Sequence, residues 1–190
     1  MVWADGTKRR HRLGAEIGAL GAAAVEAASI RVGIDRARRR LAVLLHEEHH
    51  AVAETMQAVL TSLVFEGVFE RFPKLRVVIM EGGLGWIPSL SARMDKHWAR
   101  LRSEVPHLKR PPSEYIREQV WFTTQPMEEP GRASQLIDLF DRIGWDRILF
   151  STDYPHWDFD DPRYAFKAPL SEAQRDQLLY QNAQAFYGIR

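Results

Sequence analysis

The chain of 190 residues contains no cysteine. That absence excludes a disulfide frame, a thiolate nucleophile and any Cys-ligated zinc site. Long apolar runs are missing too, for none approaches the roughly 20 residues a helix needs to cross a bilayer. A cytoplasmic location is the default expectation. Charge of one sign does not dominate either: 26 Lys and Arg face 25 Asp and Glu, for a net charge of +1. The net charge by itself says nothing about partners; the distribution does. The seven histidines fall at 11, 46, 49, 50, 97, 107 and 156, and no two of them form a His-x-His pair. What is present is 45% hydrophobic residues, with six Trp and nine Phe. That is enough for one core of ordinary density.

The near-neutral balance hides an uneven distribution. Residues 1–45 carry nine Lys or Arg against four Asp or Glu, which leaves the remainder acidic by four. Two basic runs, 8–12 and 36–40, bracket an Ala- and Gly-rich stretch. Glu16 and Glu26 interrupt that stretch and speak against a signal or transit peptide. Without interleaved aromatics, the basic runs suit a solvated helix face better than a nucleic-acid contact. We read 1–45 as an atypical segment whose bias resembles out-of-frame translation of GC-rich DNA, or an alternative start. The regular domain is expected over 46–190.

Apolar residues at three- and four-residue spacings from Ala51 to Phe69 predict a long amphipathic helix ending before Pro73. His46 and His50 lie one helical turn apart, the spacing of metal-binding helices; a polar helix start is the plainer reading. Further helices are predicted over 87–101, from Ser113 as a cap, over 134–142 and over 171–187.

Three stretches, 75–80, 120–123 and 147–151, each built on a short apolar run such as Ile148, Leu149 and Phe150, read as short strands buried on both faces. The first ends in Glu81 and a turn holding Gly82, Gly83 and Gly85. The third ends in Ser151, Thr152 and Asp153, with Pro155 stopping further pairing. Strands alternating with helices imply parallel pairing in chain order. Carboxylates at the C-terminal ends of such strands stand where α/β folds place their chemistry. Asp153 and Glu81 are accordingly the candidate catalytic acids. His156, Trp157 and Trp86 are expected to line the substrate-binding end, where aromatics suit a planar carboxylate or amide. Thr124 and Gln125 are placed to add polar groups. A turn rich in capping residues is the competing explanation of Asp153.

With these blocks in order (61–73, 77–88 and 148–156), the chain resembles the C-terminal half of the amidohydrolase-related family, metal-dependent TIM-barrel hydrolases and decarboxylases. The resemblance implies an α/β fold, a partial (β/α)₈ barrel whose strands six to eight are 77–80, 120–123 and 148–151. It implies a divalent metal, with zinc the first expectation, and makes Asp153 a metal ligand and proton-transfer group. In the family the end of strand six usually carries a histidine, and that position here is Glu81. The family's His-x-His metal pair has no counterpart in this sequence, and a whole barrel takes about 250 residues. The implied activity is hydrolysis of C–N or C–O bonds, or non-oxidative decarboxylation, of a small carboxylate or amide. The alternative is a truncated, non-catalytic half-barrel that lacks most metal ligands, holds metal weakly, and self-associates or pairs with a complementary half through its open strand edges.

Overall fold

The structure, a computed structural model, describes residues 48–156 and 159–189. The segment 1–45, His46 and Trp157 lie outside the described residues, as does the side chain of His50. Three short runs rich in β-branched and aromatic residues pair as a parallel sheet: β1 (Val77–Ile79), β2 (Val120–Thr123) and β3 (Ile148–Leu149). Their order is the chain order, with Val77 opposite Val120 and Phe122 opposite Ile148. Each of the outer strands is shorter than its apolar run. Before β1, the Gln119 side-chain amide takes the carbonyls of Phe72 and Leu75 at 3.0 Å each, so Leu75 does not join the ladder. Before β3, Trp145–Arg147 forms a 3₁₀ turn.

Seven helices surround these strands among the described residues: α1 (Glu48–Phe65), α2 (Val68–Arg71), α3 (Ile87–Arg100), α4 (Pro112–Gln119), α5 (Ala133–Ile143), α6 (Glu172–Asp176) and α7 (Asn182–Tyr187). The single long helix expected up to Pro73 is broken into α1 and α2. Gly67 sits between them at φ 70°, a conformation open to glycine at little cost. The cause is distant in sequence: Nε2 of His107 donates to the Phe65 carbonyl at 2.7 Å. A Cβ at Gly67 would lie 2.6 Å from that imidazole. Ser113 does not cap α4 with its own side chain. Pro112 opens the helix, where its missing N–H costs nothing, and the Ser113 amide donates to Asp95 Oδ1 from α3 at 2.9 Å. Ser171 does cap α6, exchanging hydrogen bonds with Gln174. The run 171–187 then passes through one π-helical turn, Gln177–Gln181, before α7.

Side chains alternate along β2, and the two faces differ. Val120 and Phe122, with Ile79 and Ile148, join the core built by Met94 and Trp98 of α3, Ile116 of α4, and Leu136, Phe140 and Ile143 of α5. Burying a phenylalanine such as Phe122 or Phe140 contributes about 2–3 kcal/mol. On the other face, the Trp121 ring meets Phe186 of α7 edge-on at 4.9 Å. The Arg147 guanidinium lies 4.3 Å from the Trp121 ring centre.

The outer edge of β3 is not left open at Ile148. Thr124 N donates to the Leu149 carbonyl at 3.0 Å, so the preceding carbonyl points away from β2. There the buried Asn182 side chain donates to Ile148 O at 2.7 Å and to Trp145 O at 2.6 Å. Among the described residues β1 has no strand partner on its outer side.

Candidate active site

β1 runs through Met80 into Glu81, and β3 runs through 150–152 into Asp153. Both acids take φ 56°, and they are the non-glycine residues of positive φ among those described. Such a backbone costs on the order of 1–3 kcal/mol and tends to gather at functional sites. Between the two strand ends, β2 closes with consecutive threonines. Thr123 Oγ1 accepts the Glu81 amide at 3.2 Å. Thr124 Oγ1 accepts the Ser151 amide at 3.1 Å, and its hydroxyl lies 3.4 Å from the Ser151 carbonyl. One threonine therefore ties each neighbouring strand end to the middle strand.

The bends bring Glu81 and Asp153 to one cavity of about 410 Å³ at the C-terminal edge of the sheet. Thr123, Ser151 and Thr152 give it further polar groups, and Met80, Phe150 and Tyr154 supply apolar wall. Glu81 is exposed and Asp153 half-buried. His156 Nδ1 lies 3.5 Å from Asp153 Oδ2, with 68% of its side chain exposed. The loop beyond Asp153 is held by short local bonds: His156 N to Asp153 O at 2.9 Å and Asp160 N to Thr152 O at 2.9 Å. Tyr154 and Phe159 meet edge-on at 5.6 Å beside it.

Of the sequence candidates, Glu81 and Asp153 line this cavity, and His156 stands beside Asp153 without lining it. Trp86 goes elsewhere. Its ring packs edge-on against Phe122 at 6.1 Å, and its Nε1 donates to Gly82 O at 2.7 Å. Thr124 and Gln125 are fully buried rather than lining the cavity. Asp161, a further acid on the loop beyond Asp153, does not line the cavity either: the Arg163 guanidinium forks onto its carboxylate and holds its pKa down to about 2. Thr123 and Tyr154 were not singled out, yet both line the cavity. For Thr123 the signal is its place as the last residue of a buried strand between two acid-ended ones.

The amidohydrolase family model matches residues 12–189. The chain belongs to the amidohydrolase family. A curated relative, gamma-resorcylate decarboxylase of Polaromonas sp. (strain JS666 / ATCC BAA-500), is 33% identical over 130 residues, which is 67% of this chain and 38% of that protein. The chain thus spans about two fifths of the length of the curated relatives it matches. Among solved structures, a dihydroxybenzoic acid decarboxylase from Polaromonas sp. JS666, with bound manganese and the inhibitor 2-nitroresorcinol, matches with a TM-score of 0.62 and 27% identity. That match covers 83% of this chain and 46% of that one. The 5-carboxyvanillate decarboxylase of Sphingomonas paucimobilis matches with a TM-score of 0.58 and 26% identity, over 68% of this chain and 38% of that one. The architecture is that of an α/β amidohydrolase with TIM-barrel relatives.

Asp153 and Glu81 offer hard oxygen ligands, the type that Mn²⁺ and Zn²⁺ accept. Yet no three His, Asp or Glu side chains among the described residues are grouped to hold an ion. A catalytic zinc takes three protein ligands. The described residues do not make a metal centre by themselves.

Proposed function

We propose that β1, β2 and β3 are strands six, seven and eight of an amidohydrolase barrel, and that their C-terminal edge serves non-oxidative decarboxylation of an aromatic carboxylate. The observation that carries this reading is the matched pair of left-handed acids, Glu81 and Asp153, facing one cavity. A left-handed backbone at two carboxylates, and at no other described non-glycine residue, suits a role that packing alone does not require. The decarboxylase relatives favour loss of CO₂ over hydrolysis.

In this reading Asp153 delivers a proton to the ring carbon that bears the carboxylate. The carbon–carbon bond then breaks, CO₂ leaves, and the bonding pair restores the aromatic ring. His156, beside Asp153 and open to solvent, returns a proton to it. Glu81, on the same cavity, meets the polar edge of the ring. Met80, Phe150 and Tyr154 flank its apolar faces. A divalent ion, manganese or zinc, would take Asp153 as one ligand and draw its others from outside the described residues.

The test is product analysis. Purified chain is incubated with 2,6-dihydroxybenzoate and Mn²⁺, and CO₂ and the phenol are quantified. The reading expects the two products in equal amounts, with turnover reduced at least about 100-fold in Asp153→Asn. Turnover unaffected by that substitution, or hydrolysis of amide or ester substrates instead, overturns it.

A second reading rests on the ligand count. Under it the chain supplies only part of a site, which a second copy or a complementary barrel segment completes. Light scattering at micromolar concentration then shows association, and turnover follows the associated species. A monomer with full turnover rules that reading out.

A further inference from the structure

The turn that follows Glu81 is held from outside by a residue the chemistry above does not use. Glu128 reaches across from the loop after β2. Its Oε1 accepts the Leu84 amide at 2.8 Å and the Gly85 amide at 2.5 Å, and its Oε2 lies 3.1 Å from the Leu84 amide. The contact is close enough to constrain the sequence. A Cβ at Gly83 would come within 2.8 Å of Glu128 Oε1, and one at Gly85 within 3.0 Å. Gly83 itself is at φ 67°. Charged acceptors on backbone amides are roughly twice as strong as neutral ones, and the positive end of α3 adds to the attraction.

We propose that Glu128 is a positioning residue for Glu81. Three ties fix the segment 81–86: Thr123 Oγ1 at the Glu81 amide, Trp86 Nε1 at the Gly82 carbonyl, and Glu128 at the Leu84 and Gly85 amides. The first acts at the start of the turn and the second spans it. The Glu128 carboxylate is the tie that reaches the Leu84 and Gly85 amides from outside the segment, beside the backbone bonds that Ile87 and Leu90 donate to Leu84 O and Trp86 O. Glu81 is in a left-handed conformation it would leave if the turn could relax. Clamping 84 and 85 denies it that relaxation and keeps its carboxylate on the cavity shared with Asp153. Glu128 thus couples the loop after β2 to the acid ending β1. This inference rests on Glu81 and Asp153 forming the site proposed above.

The test uses the full chain, isotope-labelled, with Glu128→Ala, Glu128→Gln and Asp153→Asn variants. Backbone NMR reads the Glu81 Cα and Cβ shifts, which report its φ and ψ, and the Gly85 amide proton, which reports the short bond. In Glu128→Ala the Gly85 proton should move upfield and the Glu81 shifts should leave left-handed values. Glu128→Gln keeps a neutral acceptor at the same reach and should give intermediate shifts. Where turnover is measurable, kcat should fall on the order of 10- to 100-fold in Glu128→Ala with KM changed less, and Glu128→Gln should restore part of it. Unchanged Glu81 shifts in Glu128→Ala overturn the proposal. Should that variant not fold, Glu128→Gln decides: shifts identical to wild type overturn it as well. Asp153→Asn should abolish turnover and leave the Glu81 shifts in place, so failure of the decarboxylase reading is distinguished from failure of the clamp.

Discussion

Glu81 and Asp153 adopt the same left-handed backbone, φ 56° at each, at the ends of two strands separated by β2. A glycine would accept that conformation freely, and both positions hold a carboxylate instead. Local stability is therefore given up where two acids must bend off the sheet toward one cavity.

That strain makes a contrast measurable by thermal or denaturant unfolding. Glu81→Gly removes a Cβ from a strained position and should leave stability within about 1 kcal/mol of wild type, or raise it. Gly83→Ala should cost more than about 1 kcal/mol, because it places a Cβ at φ 67° and 2.8 Å from Glu128 Oε1. Equal losses in the two variants would show that Glu81 is not strained.

Away from the site, Tyr115 donates its hydroxyl to Glu70 and accepts the Lys109 amide at 3.2 Å. The tyrosine hydrogen bond, aided by nearby Lys109, holds the Glu70 carboxyl below its ordinary value of 4.5. A carboxyl with a lowered folded pKa stabilises the fold above the unfolded value and loses that contribution as pH falls through the folded one. Tyr115→Phe should thus cost about 2 kcal/mol at pH 7, and the gap to wild type should narrow below about pH 4.5. A gap that stays constant down to pH 2 would remove Glu70 from the explanation.

Asn182 is the residue that closes the β3 edge. Asn182→Ala leaves the carbonyls of Trp145 and Ile148 without their donor, at a cost of about 2–3 kcal/mol. A freed strand edge also recruits other chains. Light scattering should therefore show Asn182→Ala associating at lower concentration than wild type, while a surface change such as Lys96→Ala has no such effect. Equal association of the two would place any self-contact elsewhere.

The strands were legible because each is an unbroken apolar run closed by a polar residue, as in Ile148 and Leu149 ahead of Asp153. Their parallel order followed from the helices between them. Other features depend on partners far along the chain. The break at Gly67 is imposed by His107, and the start of α4 by Asp95. Trp86 illustrates the limit of proximity in sequence: five residues from Glu81, it is drawn to Phe122 and to the Gly82 carbonyl, away from the cavity. Glu128 carries no local sign of its role, since its targets lie 43 and 44 residues earlier.

The central claim is that Glu81 and Asp153 act as one unit in one cavity, and a double-mutant cycle on turnover tests it most directly. Decarboxylation of 2,6-dihydroxybenzoate in the presence of Mn²⁺ is measured for wild type, Glu81→Gln, Asp153→Asn and the double variant. Residues that serve one step together lose activity non-additively. The account predicts that each single substitution reduces turnover at least about 100-fold, and that the double variant is no slower than the slower single one. Losses that multiply, or a Glu81→Gln variant as active as wild type, would contradict it.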